Sequence, residues 1–264
     1  MLRRWGILLG LLALVGGMAV AAGSASAATT GFRPGGPVHL VGSAAAVPNA
    51  RGGLRLQAQS TNWSGYAATA GTYTSVSASW TEPAGTCSGS DTYSSFWVGL
   101  DGYSSNSVEQ TGSEVDCSGS KAVYYAWYEM YPNPSVSYTN KVRPGDHFKA
   151  SVRYTGSDHF RLSIQDSTRG WSHTTTGTLA GASRSSAEVI VEAPCCTASG
   201  GILPLADFGT VHITGSRADG AALGKAGGVT EIIMTGSARR EGDKDTVSPL
   251  SDGKKFSATW LRSN

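Results

Sequence analysis

The chain has 264 residues, of which 40% are hydrophobic and only 15% charged, with 35 glycines and a formal net charge of +2. The charge is uneven: the first 60 residues hold five arginines and no acid, leaving 16 Lys and Arg against 19 Asp and Glu in the rest, a net −3. A slightly acidic body gives no electrostatic reason to bind nucleic acid, and the size admits one large all-β domain or two small ones.

In chain order, Met1-Leu2-Arg3-Arg4 forms a positive start, Ile7–Val20 an apolar stretch interrupted by glycines, and Ala25-Ser26-Ala27 an A-x-A cleavage site. Residues 1–27 therefore read as a secretory signal peptide. The apolar stretch is short for a membrane span, so the protein is expected to be secreted, with no membrane attachment once the signal is removed. Residues 28–60 are basic and rich in Gly, Ala and Pro, with Arg33, Arg51 and Arg55. That composition fits a disordered linker or a propeptide covering an acidic cleft. The remainder, 61–264, reads as one β-sandwich domain.

Four cysteines, Cys87, Cys117, Cys195 and Cys196, permit three pairings. A Cys87–Cys117 bridge is expected, because it would brace the loops around the strands between them. No His lies near either cysteine group, so neither a metal nor any other cofactor is expected.

From Thr61 onward, short β-type runs alternate with turn clusters, which marks an all-β chain. Ser75–Thr81 places Val76, Ala78 and Trp80 on one side. Phe96–Asp101 and Ser107–Glu114 form the most informative pair of runs. In a strand, successive side chains point to opposite faces. Phe96, Val98 and Leu100 then share one face and Trp97, Gly99 and Asp101 the other, while Val108, Gln110, Gly112 and Glu114 line up together. Tyr125, Trp127, Glu129 and Tyr131 share a face before Pro132. Runs follow at Asp146–Tyr154, Phe160–Ile164 and Gly170–Thr176. Ala187–Glu192 presents Glu188, Ile190 and Glu192 on one side, and runs at Val211–Ile213, Val229–Thr235 and Phe256–Trp260 complete the set. No helix is expected beyond the signal peptide. Phe96, Phe148, Trp80 and Trp260 read as core, and the charged segment Gly236–Asp252 as a solvated loop.

Familiar catalytic motifs are missing: there is no G-x-S-x-G, no H-E-x-x-H and no P-loop. The five histidines are scattered and read as surface or packing residues. What remains is a polar face carrying Asp101, Gln110, Glu114, Glu129, Glu188 and Glu192, with Trp97 and Trp127 between them. Crowded carboxylates raise one another's pKa, so one can act as acid or base below neutral pH. Indole faces beside them suit an extended substrate. A glycosidase would need two carboxyl groups about a sugar bond. A peptidase would need a base for water and a donor for the oxyanion, which an amide side chain supplies. Pattern alone leaves both open, a peptidase or a carbohydrate-binding or glycoside-hydrolase sandwich.

Five segments carry a resemblance. Asn62-Trp63-Ser64-Gly65-Tyr66, Phe96-Trp97-Val98-Gly99-Leu100-Asp101-Gly102, Gln110-Thr111-Gly112, Ala126-Trp127-Tyr128-Glu129-Met130-Tyr131-Pro132 and Ala187-Glu188-Val189-Ile190-Val191-Glu192 resemble, in order and spacing, the glutamic peptidases (eqolisins, family G1). The resemblance implies a sandwich of two bent antiparallel sheets, of the concanavalin A-like lectin and glucanase type. It implies an acid endopeptidase with protein or peptide substrates, made as a zymogen and read as a monomer, with a catalytic Gln and Glu. The Gln falls on Gln110 and the Glu on Glu192, with Glu188 as the fallback. Substrate-binding positions fall on Asn62, Trp63, Trp97, Asp101, Glu114, Trp127 and Glu129. The chain departs from the family where Glu114 replaces the usual Asp, where Val189 replaces an aromatic, and where Ala193-Pro194 replaces an acidic-aromatic pair. The zymogen pattern favours a propeptide for residues 28–60, with arginines pairing to cleft carboxylates.

Overall fold

The computed structural model describes residues 36–49, 53–195, 201–237 and 241–264; the stretch read as a signal peptide, Arg33, Arg51 and Cys196 lie outside them. Seventeen strands are present among the described residues: β1 (Ala45–Pro48), β2 (Leu54–Ser60), β3 (Trp63–Ala68), β4 (Ser75–Thr81), β5 (Thr92–Leu100), β6 (Val108–Ser118), β7 (Lys121–Tyr131), β8 (Val136–Ser137), β9 (His147–Gly156), β10 (His159–Asp166), β11 (Trp171–Thr178), β12 (Ala187–Glu192), β13 (Thr210–Ala218), β14 (Ala221–Ala222), β15 (Val229–Met234), β16 (Asp245–Val247) and β17 (Phe256–Trp260). The only helical element among them is a single 3₁₀ turn at Leu223–Lys225.

The strands form two sheets. Nine strands run in the order β1-β2-β15-β3-β12-β5-β6-β7-β8; seven of the other eight run β11-β10-β9-β4-β13-β17-β16, and β14 pairs with β13. All pairings between strands are antiparallel except β2 with β15. The sandwich follows from the alternation. Phe96, Val98 and Leu100 of β5 and Val189 and Val191 of β12 face the second sheet. There they join Val76, Ala78 and Trp80 of β4 and Phe148, Ala150 and Val152 of β9 in one continuous core. Trp80 stacks on Phe148 with centroids 5.9 Å apart, and Phe96 meets Phe208 edge-on at 5.5 Å. Trp260 sits half-buried at the margin of this core.

Every residue of β3 and of β12 is buried. An antiparallel sheet often leaves one face to water; here the centre of the nine-stranded sheet is covered on both. Its second face holds a smaller apolar cluster, Trp63, Ala67, Trp97, Val108, Trp127, Ile190 and Ile232. The disulfide expected between Cys87 and Cys117 is present and ties the end of β6 to the loop before β5. Cys195 is also disulfide-bonded.

Three features differ from the sequence reading. Residues 45–48 and 54–60, inside the segment read as linker or propeptide, are strands of the nine-stranded sheet, so a disordered linker does not describe them. Arg55 pairs with Glu231 at 2.8 Å, beside Tyr66 on the core side of that sheet, and not with a cleft carboxylate. The charged segment Gly236–Asp252 is not simply solvated. It contributes β16, and Lys244 and Asp245 are buried, the latter accepting a short hydrogen bond from Ser64.

Candidate active site

Directly paired residues on neighbouring strands point to the same side of a sheet. The register therefore assembles the second face of the nine-stranded sheet in three rows. Glu188, Gly99, Gln110 and Glu129 form the first. Ile190, Trp97, Gly112 and Trp127 form the second, and Trp63, Glu192, Ser95, Glu114 and Tyr125 the third. Successive rows are ~7 Å apart along the strands. Gln110 and Glu192 thus lie in the outer rows, diagonally across Trp97 and Gly112, and no hydrogen bond joins them.

Trp97 sits at the centre, and two glycines make room for it. A Cβ on Gly112 would lie 2.2 Å from the Phe96 carbonyl oxygen and 2.6 Å from Trp97 Cβ. One on Gly99 would come within 2.7 Å of the Trp97 ring. The indole meets Trp63 edge-on, with centroids 4.8 Å apart. Each indole N–H then donates to a different oxygen of Glu192: Trp97 Nε1 to Oε2 at 2.8 Å, and Trp63 Nε1 to Oε1 at 3.1 Å. The Asn62 amide adds a longer bond to Oε1 at 3.4 Å. Burial nevertheless pushes the Glu192 carboxyl up to about 8, against the lowering effect of these three donors. A carboxylate held by N–H donors is favoured in its charged form; here desolvation outweighs them.

Gln110 Nε2 donates to Glu129 Oε2 at 2.8 Å, while Gln110 Oε1 is buried with no partner among the protein atoms. Trp127 Nε1 and both carboxyl oxygens of Glu188 are likewise buried and unpaired. Burial raises Glu188 well above the ordinary range, with Asp101 and Glu109 adding to it. Unpaired buried polar atoms are costly and mark sites where a ligand or strain accounts for them. At the other end, Glu114 is raised by burial and by neighbouring Asp116, and Tyr125 donates to Asp116 at 2.9 Å.

A strip of chain crosses this face. Val38 N–H donates to the Gly102 carbonyl at 3.0 Å, and its side chain packs on the Trp cluster. The Pro37 carbonyl accepts from Asn62 Nδ2 at 3.2 Å, and Asn62 Oδ1 accepts from His39 N–H at 2.7 Å. Asn62 therefore touches both the strip and Glu192.

Of the residues singled out by sequence, Asn62, Trp63, Trp97 and Glu192 are joined by hydrogen bonds, and Gln110 and Glu129 form a second bonded pair. Trp127 and Glu114 lie on the same face. Asp101 is placed differently. Its backbone turns at φ 71°, and its carboxylate accepts from the Arg184 and Ser185 N–H groups at 2.6 and 2.9 Å, tying two loops together at the end of the face. Asp116 and the Pro37–His39 strip were not singled out. Asp116 lies two residues past Glu114 and follows from the same alternation; the strip carries no local signal.

A family model described as Peptidase A4 family matches residues 61–257. The chain belongs to that family. This A4 peptidase is 28% identical over 253 residues to Aspergillopepsin-2 of Aspergillus niger, with 84% of the chain and 89% of that relative covered. Among solved structures it is similar to scytalido-glutamic peptidase bound to a transition state analog inhibitor, with TM-score 0.66 and 23% identity over 76% of this chain and 98% of the other. It is also similar to aspergilloglutamic peptidase from Aspergillus niger, with TM-score 0.55 and 25% identity over 64% of this chain and 99% of the other. The A4 peptidase is thus a glutamic endopeptidase, a hydrolase of peptide bonds on an all-β sandwich.

Proposed function

We propose that this peptidase is a secreted acid endopeptidase in which Glu192 and Gln110 act on one water and one scissile carbonyl. Glu192 is the general base: it takes a proton from the water as oxygen attacks the peptide carbon. The Gln110 amide donates to the oxyanion that forms, and protonated Glu192 then gives its proton to the leaving nitrogen. Trp63 and Trp97 hold the Glu192 carboxyl group in place, and Glu129 orients Gln110 by accepting one of its N–H bonds. Trp127, Glu114 and Asp101 complete the surroundings, the last by fixing the loops at the end of the cleft. Substrates are proteins or peptides, and no cofactor enters the scheme.

The observation that carries this reading is the hold on Glu192, three N–H donors on one carboxyl group in an otherwise dry site. Under the Pro37–His39 strip that group is neutral at moderate pH, as its rise to about 8 requires. Once the strip leaves, water reaches the carboxyl, the desolvation cost falls, and the same donors favour the carboxylate needed for general-base work. Residues 28–60 then serve as a propeptide that both blocks the cleft and keeps its base protonated.

Gln110→Ala and Glu192→Gln test the scheme. Losing one donor to a developing oxyanion costs about 10²–10³ in rate. Each variant should nearly abolish digestion of denatured protein at about pH 3–4 while unfolding as the parent does. Near-normal turnover in either variant rejects the assignment. Sequencing the N-terminus of the protein recovered from the medium, before and after acidification, checks export and processing.

A further inference from the structure

The outer face of the eight-stranded sheet points away from the cleft, and the register assigns its side chains. Among the described residues, the outward positions of β4, β9, β10, β11, β13 and β17 hold no Asp, no Glu and no aliphatic or aromatic side chain. Ser and Thr fill most of them. The charged groups are Lys149, Arg153, Arg161 and Arg217, with His147, His159 and His212 among them. The two outer faces thus differ in charge: carboxylates cluster on that of the nine-stranded sheet and cations on this one.

One pairing is costly. Arg153 and Arg161 stand directly opposite each other on β9 and β10. Like charges at such a pair destabilise a sheet. Neither guanidinium has an ion pair among the described residues, although Arg55 and Arg169 do. At the turn after β13, Asp219 Oδ1 accepts from the Thr74 and Ser75 N–H groups at 2.8 and 2.9 Å. The rows beside the arginines are hydroxyl-lined: Ser163, Ser151 and Ser77 run in register to Arg217, and Gln165, Lys149 and Ser79 to Thr214.

We propose that this face binds an acidic polysaccharide, an extended chain of sugars bearing carboxylates. Arg153 and Arg161 form a close cross-strand pair, while Lys149 and Arg217 lie about two strands or two rows away from it, at roughly 10–14 Å, with hydroxyl groups between them. Such a set of cations among hydroxyl groups suits a polymer of hydroxyl-rich sugar units that carry carboxylates. The composition argues against other polyanions. Single-stranded nucleic acid binding relies on aromatic stacking platforms, and a membrane surface on apolar or aromatic insertion. This face has neither.

The test is affinity electrophoresis or retention on immobilised polygalacturonate at pH 5, with neutral dextran, poly-glutamate and a double variant, Arg153→Ser with Arg161→Ser. The parent should be retained at about 0.01 M salt, released by about 0.5 M as screening shortens, and pass through dextran. The double variant should bind roughly tenfold more weakly, while Lys121→Ser on the other sheet binds as the parent does. Thermal unfolding reports that each variant is folded. No retention of the parent, or equal retention of the double variant, overturns the proposal. Equal retention on poly-glutamate overturns the assignment to a polysaccharide, because the face would then read bare charge. Each readout is binding, so failure of the catalytic scheme leaves this result unchanged, and the reverse holds too.

Discussion

Trp97 donates its indole N–H to Glu192 at 2.8 Å, with its ring against the bare backbone of Gly99 and its Cβ against that of Gly112. A fully buried acid of the site is thus held by a side chain whose own position depends on two missing methyl groups. Trp97→Phe keeps the ring and removes the donor. A hydrogen bond to a charged group is worth about 1.5–3 kcal/mol, so kcat/KM should fall roughly 10–100-fold. Losing a donor disfavours the carboxylate, so the acidic limb of the kcat/KM profile should also move to higher pH. An unchanged limb would mean that the indole does not act on Glu192.

Gly112→Ala tests the other half of that relationship. Its Cβ would meet the Phe96 carbonyl oxygen at 2.2 Å, a backbone atom that cannot swing away. Overpacking of this kind costs about 1–3 kcal/mol, read as a lower denaturant midpoint at unchanged slope. Gly99→Ala meets a ring and the Gln110 side chain instead, at 2.7 and 3.2 Å. It should move Trp97 and impair turnover as well as stability.

Stability should be greatest in acid and decline toward neutrality. Burial raises Glu82 to about 8, Glu109 to about 8, Asp116 to about 7 and Asp245 to about 7. Each is an acid whose folded pKa exceeds its unfolded value. Its contribution is fully present below the unfolded value, about 4, and is lost as pH rises through the folded one. The unfolding free energy should therefore drop between about pH 4 and 8. Glu82, between the sheets and bonded to Ser113, is the cleanest probe. Glu82→Gln should flatten the decline by a few kcal/mol at most, measured as the midpoint of chemical unfolding against pH.

The side-chain bonds that dock residues 54–60 onto the sheet converge on one carboxylate. Glu231 accepts from Arg55 at 2.8 Å, Gln57 at 2.9 Å and Tyr66 at 2.9 Å. Arg55→Ala with Gln57→Ala removes the two bonds that come from this strand and leaves the Glu192 site untouched. If the segment restrains the enzyme, the lag before activity appears on acidification should shorten, with the final rate unchanged. An identical lag would show that the strand pairing alone sets the release.

Much of this architecture could be read from alternation. A period of two is unforgiving, because a slip of one residue turns every side chain over. Phe96, Val98 and Leu100 could only face the core if Trp97 faced the cleft, and β12 separates Val189 and Val191 from Glu188 and Glu192 by the same rule. Asp101 escaped because the chain leaves the strand there with φ 71°, so the alternation no longer applies. Strand β2 escaped for another reason. One partner, β15, lies far along the chain and pairs Leu56 with Thr230, and the other, β1, comes from the same Gly/Ala/Pro-rich segment. Asp245 sits in a charged segment, and only the fold brings Ser64 against it.

Among the described residues, strand β2 is also the only strand paired along this flank of β15, through five positions from Thr230 to Met234. A protein trimmed after residue 60 would expose that row of backbone N–H and C=O groups as an open edge. Such edges invite a further strand from another chain. If maturation removes these strands, it is linked to self-association in this fold: the trimmed enzyme gains a template that the longer chain keeps occupied.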